Sequence, residues 1–208
     1  GAALTSHKRL DGVAFTGSTA TAHSIRRAMA EHLAPDVPFI AETGGINAML
    51  VDSTALPEQA VRDIIASAFQ SAGQRCSALR CLYVQEDIAD NLLKMLKGAM
   101  NELSVGDPWH LSTDVGPVID AAAHKGIADH IAQATAEGRI IHQIKAPQNG
   151  HFIAPTAIRV SGIAEMTKEI FGPVLHVIAG QAQGVVHLVG DFLGQIGLNP
   201  GADFLAEG

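Results

Sequence analysis

The sequence predicts an α/β fold whose sheet is at least partly parallel. Short apolar runs alternate with longer segments whose apolar residues recur every three or four positions, as expected for strands alternating with helices. Turn residues, chiefly Gly and Pro, separate these segments. With 208 residues, 47% of them hydrophobic, the chain is long enough to bury a substantial core and too apolar to be disordered.

The first elements form a predicted strand–helix–strand unit. The apolar run at residues 13–15 predicts a buried strand that ends in the turn Thr16–Gly17–Ser18–Thr19. A helix capped by Ser18 or Thr19 is expected over residues 20–33, because its apolar residues recur at helical spacing. A second strand is predicted at residues 37–41, and the Gly-Gly turn Glu42–Thr43–Gly44–Gly45 follows it.

The alternation continues through most of the remaining chain. Apolar runs predict further strands or extended segments at residues 48–51, 81–84, 152–158 and 174–178. Helical apolar spacing predicts one helix that Pro57 begins and Gly73 ends, and others at residues 88–101 and 121–138. Residues 106–117 are predicted as a loop, and residues 179–208, rich in glycine and poor in charge, as a separate tail.

Composition and charge exclude several classes of protein. The chain has 14 Lys and Arg against 21 Asp and Glu, a net charge of −7, and scattered basic residues argue against a nucleic-acid surface. No apolar stretch reaches the ~18 residues that a membrane span needs. Two cysteines do not make a disulfide framework, and the first ten residues lack an apolar signal sequence. A reducing cytoplasm is therefore the expected compartment.

Cys76 is the first candidate for chemistry. It follows Arg75 and the end of a predicted helix, and a thiol near a cation or a helix N-terminus ionises more easily to the nucleophilic thiolate. A buried structural role is the alternative. Cys81 lies inside an apolar run and is expected in the core, and its spacing from Cys76 does not suit a metal site. The histidines form no H-E-x-x-H pattern, so no metal is expected.

Three further segments are candidates for binding or catalysis. Glu42 ends a predicted strand beside two glycines, which suits a general base or, alternatively, a surface residue that caps a turn. Thr16–Gly17–Ser18–Thr19 leads into a helix N-terminus, where a phosphate can bind, although it lacks the G-x-G-x-x-G pattern. Glu169–Ile170–Phe171–Gly172–Pro173 places an acid and an aromatic ring at a Gly-Pro turn, which suits ribose hydroxyls or, alternatively, an ordinary loop.

The order of these segments resembles the aldehyde dehydrogenase superfamily. The matching segments are Phe15–Thr16–Gly17–Ser18–Thr19, Glu42–Thr43–Gly44–Gly45, Gly73–Gln74–Arg75–Cys76 and Glu169–Ile170–Phe171–Gly172–Pro173. The separation of 34 residues between Glu42 and Cys76 also fits that family. The amino-acid sequences from Ala41 to Ala48 and from Ser71 to Arg80 are similar to those of the Δ1-pyrroline-5-carboxylate dehydrogenase domain of the bifunctional proline utilization A family.

The resemblance implies an aldehyde-dehydrogenase-like α/β fold and a division of the chain. Residues 1–45 would be the end of an NAD-binding Rossmann-type domain, residues 46–178 a truncated catalytic domain, and residues 179–208 a divergent tail. The family fold is more than twice as long as this chain. We therefore expect the isolated chain to bind NAD weakly and to turn over slowly or not at all.

The resemblance also implies roles for particular residues. Cys76 would attack the aldehyde carbon of glutamate γ-semialdehyde, hydride would pass to NAD, and Glu42 would activate the water that releases glutamate from the thioester. Ser77 would bind the substrate carboxylate. The residues expected at the cofactor are Gly17 and Ser18 at its pyrophosphate and nicotinamide end, and Glu169 and Phe171 at its ribose.

The same resemblance implies a proline dehydrogenase module in the parent protein, a homo-oligomer, and a cytoplasmic location with the parent protein peripheral at the inner membrane. No nucleic-acid partner is expected. Two other functions stay open. One is a non-catalytic aldehyde-dehydrogenase-like module used in assembly, and the other is a thiol-dependent acyltransferase or esterase that needs no NAD.

Overall fold

A computed structural model describes residues 1–180, which form two compact units, Gly1–Gly45 and a second that begins at Ile46. The predicted Gly-rich tail lies outside the described residues, apart from Ala179 and Gly180. These two residues belong to a strand, so the change of character at residue 179 is not the end of regular structure. Within residues 1–180, no helix is long and apolar enough to cross a membrane.

The first unit is a parallel strand–helix–strand arrangement. Its elements are α1 (Ala2–Thr5), β1 (Val13–Thr16), α2 (Thr19–His32) and β2 (Phe39–Glu42). β1 and β2 are parallel, with Val13 opposite Phe39 and Thr16 opposite Glu42. β2 begins two residues later than the predicted strand because Pro38 has no N–H to donate, and its carbonyl instead accepts a hydrogen bond from Val13.

The second unit is a five-stranded sheet with helices. Its strands are β3 (Asn47–Val51), β4 (Leu79–Gln85), β5 (Ile140–Gln143), β6 (Thr156–Arg159) and β7 (Val174–Gly180), and its helices are α3 (Pro57–Phe69), α4 (Glu86–Asn101) and α5 (Ala121–Ala136). The strand order is β3-β4-β7-β6-β5, and every pair is parallel except β5 with β6. The predicted α/β class with a partly parallel sheet is therefore confirmed.

The interior strand β4, which lies between β3 and β7, separates two clusters of buried side chains. Leu82 and Val84 belong to the larger cluster, which includes the apolar faces of α3 and α4. Cys81 and Tyr83 belong to a smaller cluster on the other face. Cys81 is fully buried, which confirms its predicted place in the core.

Some element bounds differ from the sequence prediction. The helix expected to run from Pro57 to Gly73 ends at Phe69, and residues Gln70–Gly73 form a tight turn with non-helical backbone. The helix predicted at residues 121–138 ends at Ala136, and Gly138 follows with φ 67°, the left-handed conformation common after a helix. The extended segment predicted at residues 152–158 becomes a strand only at Thr156, because Pro155 precedes it.

Candidate active site

The turn that precedes Cys76 has an unusual backbone. Ser71, Ala72 and Gly73 are all left-handed, with φ of 55°, 52° and 65°. Such conformations cost a non-glycine residue of order 1 kcal/mol or more and persist only where the surroundings enforce them. Phe69 and Ala72, both nearly or fully buried, anchor the turn in the core. Cys76 and Ser77 follow this turn and lie exposed at the surface, just before β4.

Gly73 is required by both its conformation and its surroundings. A Cβ atom at this position would collide with the carbonyl group of Gly172. The backbone of the cysteine loop, residues 70–78, therefore packs directly against the Glu169–Pro173 turn. This contact brings together two of the segments that the sequence singled out.

Two amide side chains hold the cysteine loop. Asn47, at the start of β3, donates from Nδ2 to the carbonyl oxygens of Cys76 at 2.6 Å and Ala78 at 3.0 Å. Gln74 donates to the carbonyl of Pro117 at 3.3 Å and accepts from the N–H of Ile119 at 2.8 Å. Sequence reasoning assigned neither residue a role, although both lie within the segments that carry the family resemblance.

Arg80 lies between the cysteine loop and the Glu169–Pro173 turn. Its Nε and Nη2 atoms donate to Oε1 of Glu169 at 3.0 and 2.9 Å. Nη1 donates to the carbonyl of Gly172 at 3.1 Å, and Nη2 also donates to the carbonyl of Arg75 at 3.2 Å. The Phe171 ring lies 5.2 Å from the guanidinium carbon. Burial lowers the pKa of Arg80, and the hydrogen bond and charge of Glu169 oppose that shift.

Gly17 and Glu42 meet in the first unit through their backbones. The N–H of Gly17 donates to the carbonyl of Glu42 at 3.0 Å, so the turn after β1 lies beside the end of β2. A Cβ on Gly17 would collide with the ring of Phe15. The Glu42 side chain is exposed. Parallel strands thus end together at the N-terminus of α2, the arrangement in which α/β proteins bind phosphate groups.

Ser18 rather than Thr19 caps α2. Its Oγ accepts from the N–H of Thr21 at 3.2 Å and lies 2.9 Å from the Thr21 hydroxyl. The Ser18 hydroxyl is therefore engaged in hydrogen bonds within α2. A ligand at this turn would bind its backbone N–H groups instead.

Each unit has residues that suit part of a nicotinamide dinucleotide. The turn Thr16–Gly17–Ser18–Thr19 presents backbone N–H groups at the N-terminus of a 14-residue helix, which suits a pyrophosphate. Arg80 occupies Oε1 of Glu169 and leaves Oε2 without a hydrogen-bond partner among residues 1–180, which suits a ribose hydroxyl. Phe171 is 43% exposed beside it.

A histidine pair lies apart from these residues. His130 and His176 approach within 2.9 Å through their Nε2 atoms, and Nδ1 of His176 lies 3.2 Å from the carbonyl of Arg80. They line a cavity of about 520 Å³. Burial, followed by the charge of His130, lowers the pKa of His176 to about 4. In the part of the chain that the structure covers, no three His, Cys, Asp or Glu side chains cluster closely enough to hold a metal ion.

A model of the aldehyde dehydrogenase family matches residues 1–184. The chain therefore belongs to the aldehyde dehydrogenase family, which confirms the resemblance drawn from its motifs. Within the family it is similar to the bifunctional protein PutA of Klebsiella aerogenes, at 52% identity over 189 residues. That alignment covers 86% of this chain and 14% of the relative, so the chain spans about a seventh of that protein's length.

Other similar proteins agree with this assignment. A crystal structure of a Bradyrhizobium japonicum proline utilization A variant superposes with a TM-score of 0.86 at 49% identity, over 90% of this chain and 19% of that one. The 1-pyrroline-5-carboxylate dehydrogenase of Bacillus cereus strain B4264 is 37% identical over 180 residues, 83% of this chain and 35% of its own length. These matches confirm the aldehyde dehydrogenase fold and the likeness to the proline utilization A family.

Proposed function

We propose that this chain carries the nucleophile of an NAD-dependent aldehyde dehydrogenase that oxidises glutamate γ-semialdehyde to glutamate in proline catabolism. The observation that carries the proposal is the exposed Cys76 at the end of a constrained loop, which Arg80 joins to the turn of Glu169 and Phe171. The likeness to PutA proteins and to a 1-pyrroline-5-carboxylate dehydrogenase supports this substrate class.

Cys76 performs the covalent step. Its thiolate sulfur bonds to the aldehyde carbon and forms a thiohemiacetal. The backbone N–H of Cys76 supplies one donor to the resulting oxyanion. When bound, NAD supplies the hydride acceptor through which the thiohemiacetal becomes a thioester.

Glu42 and Ser77 complete the reaction on the protein's side. Glu42 takes a proton from water as that water attacks the thioester carbon. The carbon–sulfur bond then breaks, glutamate leaves, and the Cys76 thiol is regenerated. The Ser77 hydroxyl, exposed next to the nucleophile, donates to the substrate's carboxylate and so favours this aldehyde over simpler ones.

The residues proposed to hold NAD are Gly17 and Ser18, through the backbone of their turn, and Glu169 with Phe171 at the ribose. The parent protein joins this segment to a proline dehydrogenase module that supplies the substrate, and it acts as a cytoplasmic homo-oligomer, peripheral at the inner membrane. We expect the 208-residue chain alone to bind NAD weakly and to turn over slowly or not at all.

The experiment compares the protein expressed from its complete reading frame with its Cys76→Ala and Cys81→Ala variants. NADH formation from glutamate γ-semialdehyde is measured alongside hydrolysis of a p-nitrophenyl ester without NAD. We expect Cys76→Ala to lose at least about a thousandfold in rate, since the covalent route disappears. Cys81→Ala changes a core position, so its folded fraction should form NADH at the wild-type rate.

The outcomes separate the three functions. NADH formation that depends on Cys76 supports the dehydrogenase. Ester hydrolysis through Cys76 with no NADH would instead indicate the acyltransferase or esterase. The absence of both activities in a folded protein would indicate the non-catalytic module. NADH formation by the isolated chain at a complete enzyme's rate would contradict the expectation for the fragment.

A further inference from the structure

We infer that Arg80 is a positioning residue that holds the cysteine loop and the Glu169–Pro173 turn in a fixed relative position. The geometry of the proposed ribose site at Glu169 and that of the nucleophile Cys76 therefore depend on each other. The inference rests on the proposed function, which gives Cys76 and Glu169 their roles. Arg80 itself contacts neither substrate nor cofactor in this proposal. All the residues involved belong to the second compact unit.

The burial of Arg80 makes its hydrogen bonds obligatory. Its side chain is fully inaccessible to solvent, whereas that of Glu169 is 17% exposed. A buried guanidinium is tolerated only when its N–H groups and its charge are compensated. Glu169 supplies the charge, and the carbonyls of Arg75 and Gly172 supply the remaining acceptors. Moving any one of these acceptors therefore disturbs the others.

The two ends of the network lie at functional positions. The Arg75 carbonyl belongs to the peptide group that contains the Cys76 nitrogen, the N–H proposed for the oxyanion. At the other end, both hydrogen bonds to Glu169 arrive at Oε1. The carboxylate is thereby fixed with Oε2 available for a hydroxyl. One side chain thus orients an oxyanion donor and a ribose acceptor.

Only arginine has the geometry for this arrangement. Its planar fork donates in three directions at once, whereas lysine has a single compact ammonium on a flexible stem. The Phe171 ring beside the guanidinium adds a planar surface that suits the same group. Arg80→Lys therefore retains the charge and loses the simultaneous contacts with the Arg75 carbonyl, the Glu169 carboxylate and the Gly172 carbonyl.

The test uses the complete protein and two readouts that need no turnover. The first is the equilibrium dissociation constant for NAD, and the second is the rate at which iodoacetamide alkylates Cys76 in the absence of NAD. The variants are Arg80→Lys, Glu169→Gln and the double variant, with Arg62→Lys on the exposed face of α3 as the control. Alkylation of buried Cys81 reports any general loss of structure.

We expect Arg80→Lys to weaken NAD binding by about ten- to a hundredfold, as for loss of a charge-assisted hydrogen bond. The double variant should be little weaker than either single one, because both act through one network. Glu169→Gln should raise the Cys76 alkylation rate at least about threefold. Without its counter-charge, Arg80 holds the Arg75 carbonyl less firmly, and the cysteine loop samples more open conformations. In the Arg80→Lys background that effect should vanish, and Arg62→Lys should match the wild type.

Three results would overturn the inference: wild-type NAD affinity in Arg80→Lys, losses that add in the double variant, or a Cys76 rate that Glu169→Gln leaves unchanged. If Arg80→Lys exposes Cys81, the Glu169→Gln alkylation rate alone decides, since that variant leaves Arg80 in place. A wild-type protein that forms no NADH would refute the proposed function, while the two binding and labelling readouts would still decide the role of Arg80.

Discussion

The two compact units differ sharply in how much of their apolar surface is buried. Among residues 1–45, Ala22 and Met29 are the only buried apolar residues, and Ile40 is 60% exposed. The second unit has a continuous core through β4 and β7. The candidates Gly17 and Glu42 therefore lie on a unit stabilised mainly by local hydrogen bonds. The cysteine loop instead lies on a packed sheet, and we expect the first unit to open at lower free energy.

The largest expected effect is a contrast between core substitutions in the two units. Leu82→Ala removes a fully buried side chain from β4 and should lower the free energy of unfolding of the second unit by about 2–5 kcal/mol. Ile40→Ala, at an exposed position in β2, should change stability by about 0.5 kcal/mol or less. Urea denaturation of the 208-residue chain measures both. Equal losses would remove the contrast between the units.

The next effect concerns the backbone of the cysteine loop. Gly73→Ala should destabilise the second unit by about 2–4 kcal/mol, because the left-handed conformation and the collision with Gly172 both act against it. Gly138→Ala is the matched control, with φ 67° but open space around it, and should cost only about 1 kcal/mol. Urea midpoints and Cys76 alkylation rates compare the two variants. Equal effects would mean that tertiary contact does not constrain the loop.

The sequence could predict most helices and strands of the second unit, but not the left-handed turn at residues 71–73. Apolar spacing placed α4, β7 and the start of α3 close to their observed bounds, because burying one face of an element leaves a periodic pattern. No local pattern indicates that Ser71 and Ala72 are left-handed. The burial of Ala72 and the close approach of Gly73 to the Gly172 carbonyl become visible only in the fold. The strand β5 was missed for a related reason, because three partly buried residues and one exposed residue at a sheet edge carry little pattern.

The candidate site shows the same division. Cys76, Glu42 and Glu169 could be proposed because their family motifs stand in order along the chain. The roles of Asn47 and Arg80 could not be proposed, because their partners are distant in sequence. Asn47 is 29 residues from Cys76, and Arg80 is 89 residues from Glu169. An arginine next to an apolar strand predicts a surface residue from sequence, and only the fold shows it buried against Glu169.

A third prediction places pH sensitivity in the second unit. His176 is buried with a pKa of about 4, against 6.5 when unfolded. Between these values the unfolded chain binds a proton that the folded chain does not, so stability is present above pH 6.5 and lost as the pH falls towards 4. The loss should reach about 2 kcal/mol at pH 5. Urea midpoints at pH 7.5 and pH 5 measure it.

The His176→Asn variant tests the source of that dependence. An asparagine keeps a polar group in the cavity but cannot titrate, so the variant should lose most of the difference between the two pH values. His110→Asn, in an exposed loop, is the control and should behave as the wild type. The neighbouring His130, Arg139 and Lys168 also face the cavity. A pH dependence unchanged in His176→Asn would assign it to another titratable group, of which His130 lies in direct contact with His176.

The smallest effect belongs to the first unit and its helix cap. Ser18→Ala removes the acceptor of the Thr21 N–H and should destabilise the start of α2 by about 1 kcal/mol. Amide hydrogen exchange should then be about fivefold faster in the first turn of α2, with β4 and β7 unchanged. Ser24→Ala, which removes a hydroxyl bonded to the Ala20 carbonyl within the same helix, is the control and should not accelerate exchange. If Ser18→Ala also accelerated exchange in β4, the two units would share one cooperative unfolding transition, and the turn beside Glu42 would be as well supported as the cysteine loop.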